Sequence, residues 1–550
     1  MKKNKLFTHL LLFTILVVIQ FTSFTQGVIT VESGARIVSE TGSYWAIDNG
    51  TFTLTSPNDA YPATMANLTI ANGASLSILP LNFLTVTGTL TNNAGNSGLV
   101  LNSNATGTGS LINGTTAVPV MVSRYITGAS TAWHLISSPV ASQAISPAFT
   151  ADPATSYDFF TWYEPTETWV NFKNTTVAPT WNAANGNTNF IAGKGYLVEY
   201  AGTGLTKHFT GNLNAGTISP RLTKSGTGIY AAYNLVGNPY SSSIDWKASG
   251  GWERSSLVSS GGGYDMSIWN DAAGNYGSFN SAGSSGNNNV TQFIPVGQGF
   301  MVNAASAGTL GMTDRIRVHV DQGYLKSTDV IANTLRLKVT GTANTYTDEI
   351  VVEFGHPTDA GGAGKMFSFY ETAPSLYTLK PDGNYSIDFR GEPGAVAIPL
   401  SFKAGADGNY TLTASQLESF TSFTVITLED KHAGKMQNLM EHQSYTFFSD
   451  KTDDAARFLL HFGGVFSVNN QEKGPAVTIY SSGSSVYISN ASGLEMKGEV
   501  IVYNMIGQGM LQRTLGETPL TSINLTANAG CYLVKVVTGD KVYSGKVIIK

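Results

Sequence analysis

The pattern of apolar and polar positions changes along the chain, and each change marks a unit. Residues 27–125 carry short apolar triplets, Leu68-Thr-Ile70, Leu76-Ser-Ile78, Leu84-Thr-Val86 and Leu99-Val-Leu101, set among Asn, Gly, Ser and Thr. In a strand the outer two residues of such a triplet face one way and the middle one the other. So short a strand cannot bury its own face, so the pattern predicts similar rungs stacked over a shared apolar column, a β-solenoid-like segment. An irregular β-sandwich is the alternative. The 64 residues between Asp59 and Arg124 contain no Asp, Glu, Lys or Arg. Only Glu32, Glu40, Asp48 and Asp59 are left to supply the paired carboxylates of a glycosidase, so no catalysis is expected in this segment.

Residues 126–330 repeat themselves. Trp133-His-Leu-Ile-Ser-Ser-Pro139-Val140 is echoed by Tyr233-Asn-Leu-Val-Gly-Asn-Pro239-Tyr240, and Asp158-Phe-Phe-Thr-Trp162 by Asp265-Met-Ser-Ile-Trp269. Phe190-Ile-Ala-Gly-Lys-Gly195-Tyr-Leu-Val198 is echoed by Phe293-Ile-Pro-Val-Gly-Gln-Gly299-Phe-Met-Val302. Three blocks in one order predict an internal duplication, read as one β-sandwich over 126–225 and a second over 226–330. Each Gly-x-Gly precedes a strand and predicts a bulge or bend; no helix follows it to hold a phosphate. Aromatic residues gather in both copies. Trp162, Trp169 and Trp269 are the candidate platform for a sugar ring, with filling of the sandwich cores as the alternative. Asp158, Glu164 and Glu167 are the candidate acids of a glycosidase, and solubilising charge in a hairpin is the other reading of the two Glu residues.

Residues 331–465 read as a further β-sandwich, with strands such as Leu335–Val339, Asp348–Glu353, Ala395–Ile398 and Arg457–Phe462. Pro399 is expected to end its strand or to place it at a sheet edge. Asp382-Gly-Asn-Tyr385 and Asp407-Gly-Asn-Tyr410 predict hairpin turns, because Gly accepts a positive φ. Calcium is the weaker alternative there and at Asp453-Asp454, since six to eight oxygens are needed in one loop. Residues 466–474 read as a linker.

Residues 475–550 alternate as short strands between tight turns, a small antiparallel sandwich. Val502-Tyr503-Asn504-Met-Ile-Gly507-Gln508, Gly530-Cys531-Tyr532-Leu-Val-Lys535-Val and Lys546-Val-Ile-Ile-Lys550 follow in order. This run resembles the type A C-terminal sorting domain of the type IX secretion system of Bacteroidetes-type bacteria. The resemblance implies an immunoglobulin-like domain whose signal residues are Tyr503, Gly507, Gly530, Tyr532, Lys535, Lys546 and Lys550. It implies as partners the type IX translocon and its signal-processing sortase. Cys531 stands where the family has an aliphatic residue, a mild departure because a free Cys packs like a small hydrophobe. At the other end, Lys2, Lys3 and Lys5 precede an apolar run over Leu6–Phe21, which reads as a signal peptide over 1–26. Together the two signals predict Sec export followed by type IX secretion, to the medium or the outer-membrane surface.

Composition narrows the function. Charged residues are 13%, against a usual ~25%, and net charge is −5, so no basic field points to nucleic acid. The single Cys excludes a disulfide framework, and no nucleophile elbow or metalloprotease motif occurs. No transmembrane segment is expected in the mature chain. The expectation is therefore an all-β, multi-domain, exported protein without catalytic activity or cofactor. It would act as an adhesin or binding module, with polysaccharide or surface glycan as candidate ligand. A secreted polysaccharide-active enzyme and a structural surface component are the alternatives.

Overall fold

The computed structural model describes residues 27–30, 42–48, 50–55, 62–126, 128, 131–150, 157–202, 204–320, 330–392, 394, 396–420, 423–465, 477–490, 496–516, 518–539 and 541–550. The expected signal peptide (1–26) and linker (466–474) lie outside these residues, as do Glu32, Glu40 and Asp59. Among the described residues the chain is all-β, with a single α-helix of 5 residues, Trp181–Asn185. No described helix is long and apolar enough to cross a membrane.

The triplets stack as rungs. Strands Tyr44–Ile47, Asn67–Ile70 and Leu90–Asn92 form one parallel sheet. Gly50–Thr55, Ala74–Ile78 and Leu99–Leu101 form a second, and Ala63–Met65, Phe83–Val86 and Ser110–Asn113 a third. The outer residues of each triplet are buried in one column, while the middle ones stay half-exposed. This is a three-sided β-solenoid whose third turn does not end freely. Strand β1 (Pro119–Ile126) adds in parallel to Leu99–Leu101, and its other edge pairs along its full length with the antiparallel Leu205–Asn212. The core crosses with it: Leu76, Leu101 and Val120 belong to one cluster with Phe159, Tyr196 and Phe209. The expected division at 125/126 is thus corrected, because one strand and one core run across it.

The duplication is a duplication of sheets. In the first copy, β2 (His134–Ser137), β3 (Tyr157–Tyr163), β4 (Thr168–Asn171) and β5 (Gly195–Tyr200) are ordered β2-β5-β3-β4. In the second, β6 (Tyr233–Gly237), β7 (Gly263–Asn270), β8 (Asn275–Asn280) and β9 (Gly299–Asn303) are ordered β6-β9-β7-β8. The expected pair of self-contained sandwiches is corrected: each copy supplies one sheet, and the two pack face to face. Leu135, Trp162 and Leu197 meet their counterparts Leu235, Trp269 and Met301 in one cluster. The opposite faces enter separate cores, Ile136, Phe159 and Val198 on one side and Val236, Ile268 and Val302 on the other.

A pseudo-twofold relates the two sheets, and the bridges across it are reciprocal. Ile136 pairs with Gln298, and the equivalent Val236 pairs with Lys194. The Ser137 N–H donates to the Gly297 carbonyl at 3.0 Å, and the Gly237 N–H to the Gly193 carbonyl at 2.9 Å. Here lies the reason for the repeated Gly-x-Gly. Gly193 and Gly297 turn with φ of 77° and 69°. At Gly195 a Cβ would stand 2.5 Å from the Val236 carbonyl oxygen, and at Gly299 3.0 Å from that of Ile136. These glycines let two backbones touch.

The described residues of 331–465 form one large sheet folded around a main core that takes Leu337, Val352, Leu400, Leu412, Ile426 and Leu460 from different strands, with a smaller cluster of Val351, Ala363, Ile387 and Phe389 beside it. Val396–Lys403 continues through Pro399, so the expected strand end is corrected. Pairing with Ser375–Lys380 stops at Leu400, so the missing N–H of Pro399 falls where one side of the strand has no ladder. Asp382-Gly383 makes the expected hairpin, whereas Asp407-Gly408 opens Gly408–Ser415 after a crossover, since that strand pairs with Thr334–Gly341 and Ser444–Ser449. Residues 477–550 form two antiparallel sheets, of 3 and 4 strands, over their own core. They meet the preceding unit through Leu459, Tyr487 and Leu520. Beside that contact, His461 reaches Glu429 at 2.7 Å and Tyr480 at 3.1 Å.

A strap from the second copy closes the solenoid. The Ser241 hydroxyl donates to the Leu111 carbonyl at 2.9 Å, and the Leu111 N–H donates to the Ser241 carbonyl at 2.8 Å. His319 bridges Ser110 at 2.8 Å and Thr85 at 3.0 Å.

Two predictions follow from this packing. Burial, aided by the Arg317 charge, lowers the His319 pKa from 6.5 to about 4. The unfolded chain therefore takes up a proton between these values while the folded one does not. The contribution is complete above pH 6.5 and is lost toward pH 4, up to about 3 kcal/mol. Urea unfolding at pH 7.5 and pH 5 is expected to show wild type losing more stability than His319→Gln; equal losses would contradict the burial of this ring. Gly195→Ala is expected to cost about 1–3 kcal/mol, and more than Gly299→Ala, because its Cβ meets a backbone oxygen at shorter range.

Candidate functional site

Two of the three residues singled out for sugar stacking are core residues. Trp162 and Trp269 are 8% and 4% exposed. Trp162 packs edge-on to Trp169 at 5.1 Å and donates its Nε1–H to the Tyr233 carbonyl at 2.7 Å. Trp269 stacks on Phe369 at 3.8 Å, a residue of the third unit inserted against the duplicated pair. Asp271 anchors that insertion, accepting from the Trp133 N–H and the Tyr370 hydroxyl, both at 2.9 Å. An open platform of Trp162, Trp169 and Trp269 is corrected: facing sheets cover the Trp162 and Trp269 rings, and the half-buried Trp169 packs against Trp162.

The candidate acids are also committed. Glu164 is buried and accepts from the backbone N–H groups of Ser225 (2.8 Å), Gly226 (2.9 Å) and Ala232 (2.9 Å). Burial pushes its pKa up, but these donors together outweigh burial and hold it below the usual value. Glu167 accepts from the Gly228 and Tyr230 N–H groups. The pair therefore fastens the connector between the copies, and neither carboxylate is the solubilising charge of an open turn. Asp158 lies on the surface, where it accepts from Asn171 at 3.0 Å and sits 3.8 Å from Lys173.

The acidic turns bind their own backbone. Asp407 accepts from the Lys451 N–H, Asp453 from the Ser449 hydroxyl and the Asp450 N–H, and Asp454 from the Ala456 N–H. Asp382 accepts from the Tyr385 hydroxyl at 2.8 Å. No group of three His, Cys, Asp or Glu is placed to hold a metal among the described residues.

What the duplication does create is a cavity of about 310 Å³ at the seam between the copies, beside Trp162 and Glu164. Its chemistry centres on two residues that the sequence reading passed over, Lys194 and Arg221. Lys194 lies inside the first Gly-x-Gly. Its Nζ donates to the Ala184 carbonyl at 2.6 Å, and burial lowers its pKa to about 8. Arg221 sits exposed on the rim. The one available signal was an asymmetry: Lys194 stands where the second copy has Gln298.

The motif residues of the C-terminal module divide into two sets. Gly507 makes a hairpin turn with φ of 83°, Gly530 opens its strand, and Tyr532 is buried with its hydroxyl on the Asn528 carbonyl. Tyr503, Leu533 and Lys546 instead lie in one row across neighbouring strands, and Lys535 lies next to it on the same outer face. Ile506 at the hairpin tip is 87% exposed, and Val542, Ile548 and the terminal Lys550 are exposed as well.

The three-unit arrangement of solenoid, duplicated pair and folded sheet corresponds to a recognised family. A family model described as "Domain of unknown function (DUF8693)" matches residues 43–462. The chain belongs to the DUF8693 family. The DUF8693 region takes in all three units with the seam cavity and stops before the C-terminal module. No curated protein matches the chain. One similar solved structure is described as "Biofilm associated protein - BSP domain", at 9% identity and a TM-score of 0.15, over 82% of this chain and 65% of that one. Another is titled "Ca2+-stabilized adhesin helps an Antarctic bacterium reach out and bind ice", at 12% identity and a TM-score of 0.12, over 82% and 97%. At such TM-scores neither likeness bears on what this DUF8693 protein does.

Glu164→Ala is expected to destabilise the fold by about 1–3 kcal/mol, since it takes the acceptor from the buried Ala232 N–H and from the Ser225 and Gly226 N–H groups at the cavity wall. Asp158→Ala is expected to change stability by less than about 1 kcal/mol, as its ion pair is exposed. Thermal unfolding of both variants checks this, and equal effects would contradict the assignment of Glu164 as a brace.

Proposed function

We propose that this protein is an exported, non-catalytic binding protein or adhesin whose ligand is a polysaccharide, carried outside the cell by its C-terminal module. The observation that carries the binding reading is the seam: a cavity with two cationic side chains lies where the neighbouring carboxylates are already bound to backbone N–H groups. An acid–base pair needs carboxylates free to exchange protons with substrate. A binding site needs only a fixed wall and charge of suitable sign.

The routing reading rests on the resemblance of residues 475–550 to a type IX sorting domain and on that of residues 1–26 to a Sec signal. Tyr503, Leu533, Lys535 and Lys546 on one outer face, flanked by exposed Ile506, Val542 and Ile548, support it as a docking surface for the translocon and sortase. Exposed apolar side chains gathered on one sheet face mark a surface that a partner can cover.

In the native host, the chain truncated after Gly464 is expected to stay inside the cell envelope while the full chain reaches the surface or the medium. Equal export would remove the routing reading. The purified protein is expected to be retained on at least one insoluble polysaccharide without releasing reducing ends. Release that Glu164→Gln abolishes would make it an enzyme instead.

A further inference from the structure

The two copies are equivalent in fold, but the seam between them is not equivalent on its two sides. At the second-copy position, Gln298 is buried and fully engaged: its Oε1 accepts from Arg124 at 3.0 Å, and its Nε2 donates to the Leu135 and Gly299 carbonyls. At the first-copy position, Lys194 lines a cavity. The second position is closed by hydrogen bonds, whereas the first sets a half-buried ammonium at a cavity wall. Burying an ammonium is costly unless a partner of opposite charge joins it.

We propose that this cavity binds one uronic acid residue of an acidic polysaccharide, with the carboxylate held between Lys194 and Arg221. The assignment rests on the polysaccharide-binding reading given above and names the sugar class.

Five features support it. The volume, about 310 Å³, stands at the lower end of small-molecule sites, which start near ~300 Å³, and so suits a single ring better than a long chain. Lys194 has spent one donor on the Ala184 carbonyl, and an ammonium carries three. Burial lowers its pKa, and the nearby Glu164 carboxylate is already taken up by the Ser225, Gly226 and Ala232 N–H groups. A ligand carboxylate would reverse that shift and meet Arg221 at the rim. The remaining wall is mixed: Pro165 and Pro220 offer apolar surface to the C–H face of a ring, and Tyr163 offers a polar edge. The wall is also fixed. The Asn185 side-chain amide is held by the Asn187 and Asn189 carbonyls, and that of Asn234 by the Thr223 and Ala232 carbonyls.

The test is calorimetric titration of the full mature chain with galacturonate, galactose and hexanoate. Galacturonate is expected to bind at least about tenfold more tightly than either control, and less tightly as salt is raised. Lys194→Met and Arg221→Gln are each expected to weaken it by at least about tenfold. Arg221 is on the exposed rim, so Arg221→Gln keeps the test valid if Lys194→Met fails to fold. Equal binding of galactose would overturn the role of charge, and equal binding of hexanoate would overturn the sugar. No binding, or binding that neither variant changes, would overturn the site. Retention on polysaccharide, measured on the same proteins, separates the two readings. If wild type and Arg221→Gln are retained equally on a neutral polysaccharide, the binding function stands and this assignment falls. If no polysaccharide retains the protein, the underlying reading fails.

Discussion

Two sheets whose backbones touch set the geometry of this molecule. Facing sheets usually stand ~10 Å apart with side chains between them. Along one line of the seam, however, Gly195 and Gly299 remove those side chains, and the strands of one copy bridge to the other. With that contact fixed, the large residues on either side have one place to go. Trp162, Trp269 and Met301 fill the space flanking the bridge, and Met366 and Phe369 of the third unit seal it. The same contact fixes the cavity, which lies where the seam opens beside Trp162.

Around this centre the protein is held by neutral polar groups more than by charge. Asn280 donates to the Ser260 and Gly362 carbonyls, Asn275 to those of Thr347 and Pro374, and Asn288 to that of Tyr276. Side-chain amides satisfy loop carbonyls without the desolvation penalty of an ion, which suits a chain so poor in charge. Two buried carboxylates of the third unit sit in matched sets with cations. Asp430 takes Arg457 in two contacts, and Asp388 lies between Lys380 and Arg390. Exposed strand edges are limited in the same economical way. The last solenoid strand is paired by the first copy, and the Ser110–Asn113 edge is closed by Ser241 and His319. This removes the open ladders through which stacked strands would otherwise associate.

Duplication supplies a physical route to a cavity. Two equivalent sheets give two equivalent seam positions, and the fold needs only enough of them packed to stay together. Gln298 with Arg124 shows one position closed by hydrogen bonds. Lys194 shows the other kept open to solvent at the exposed Arg221 rim. The carboxylates beside it, Glu164 and Glu167, hold the connector that carries the chain from one copy to the next, so the cavity wall and the link between copies are one piece of structure.

Local pattern was enough to reveal the all-β class, the stacked triplets and the duplication. Leu68-Thr-Ile70 and its fellows show their burial through alternation, a property of a few adjacent residues, and the echo of Gly193-Lys-Gly195 in Gly297-Gln-Gly299 is visible to the eye. The sequence also placed the C-terminal blocks in order, although not on a common face. Which residues are exposed was a different kind of question. Trp162 and Trp269 look alike whether they cover a surface or fill a core, and only the approach of the second sheet made them core. Pro399 and Asp407 obeyed their local chemistry, yet their neighbours were strands far away in the chain. Lys194 stands inside the repeated Gly-x-Gly, but nothing in the spacing of residues sets Arg221 near it; the two line one cavity because the copies pack together over a long range of chain.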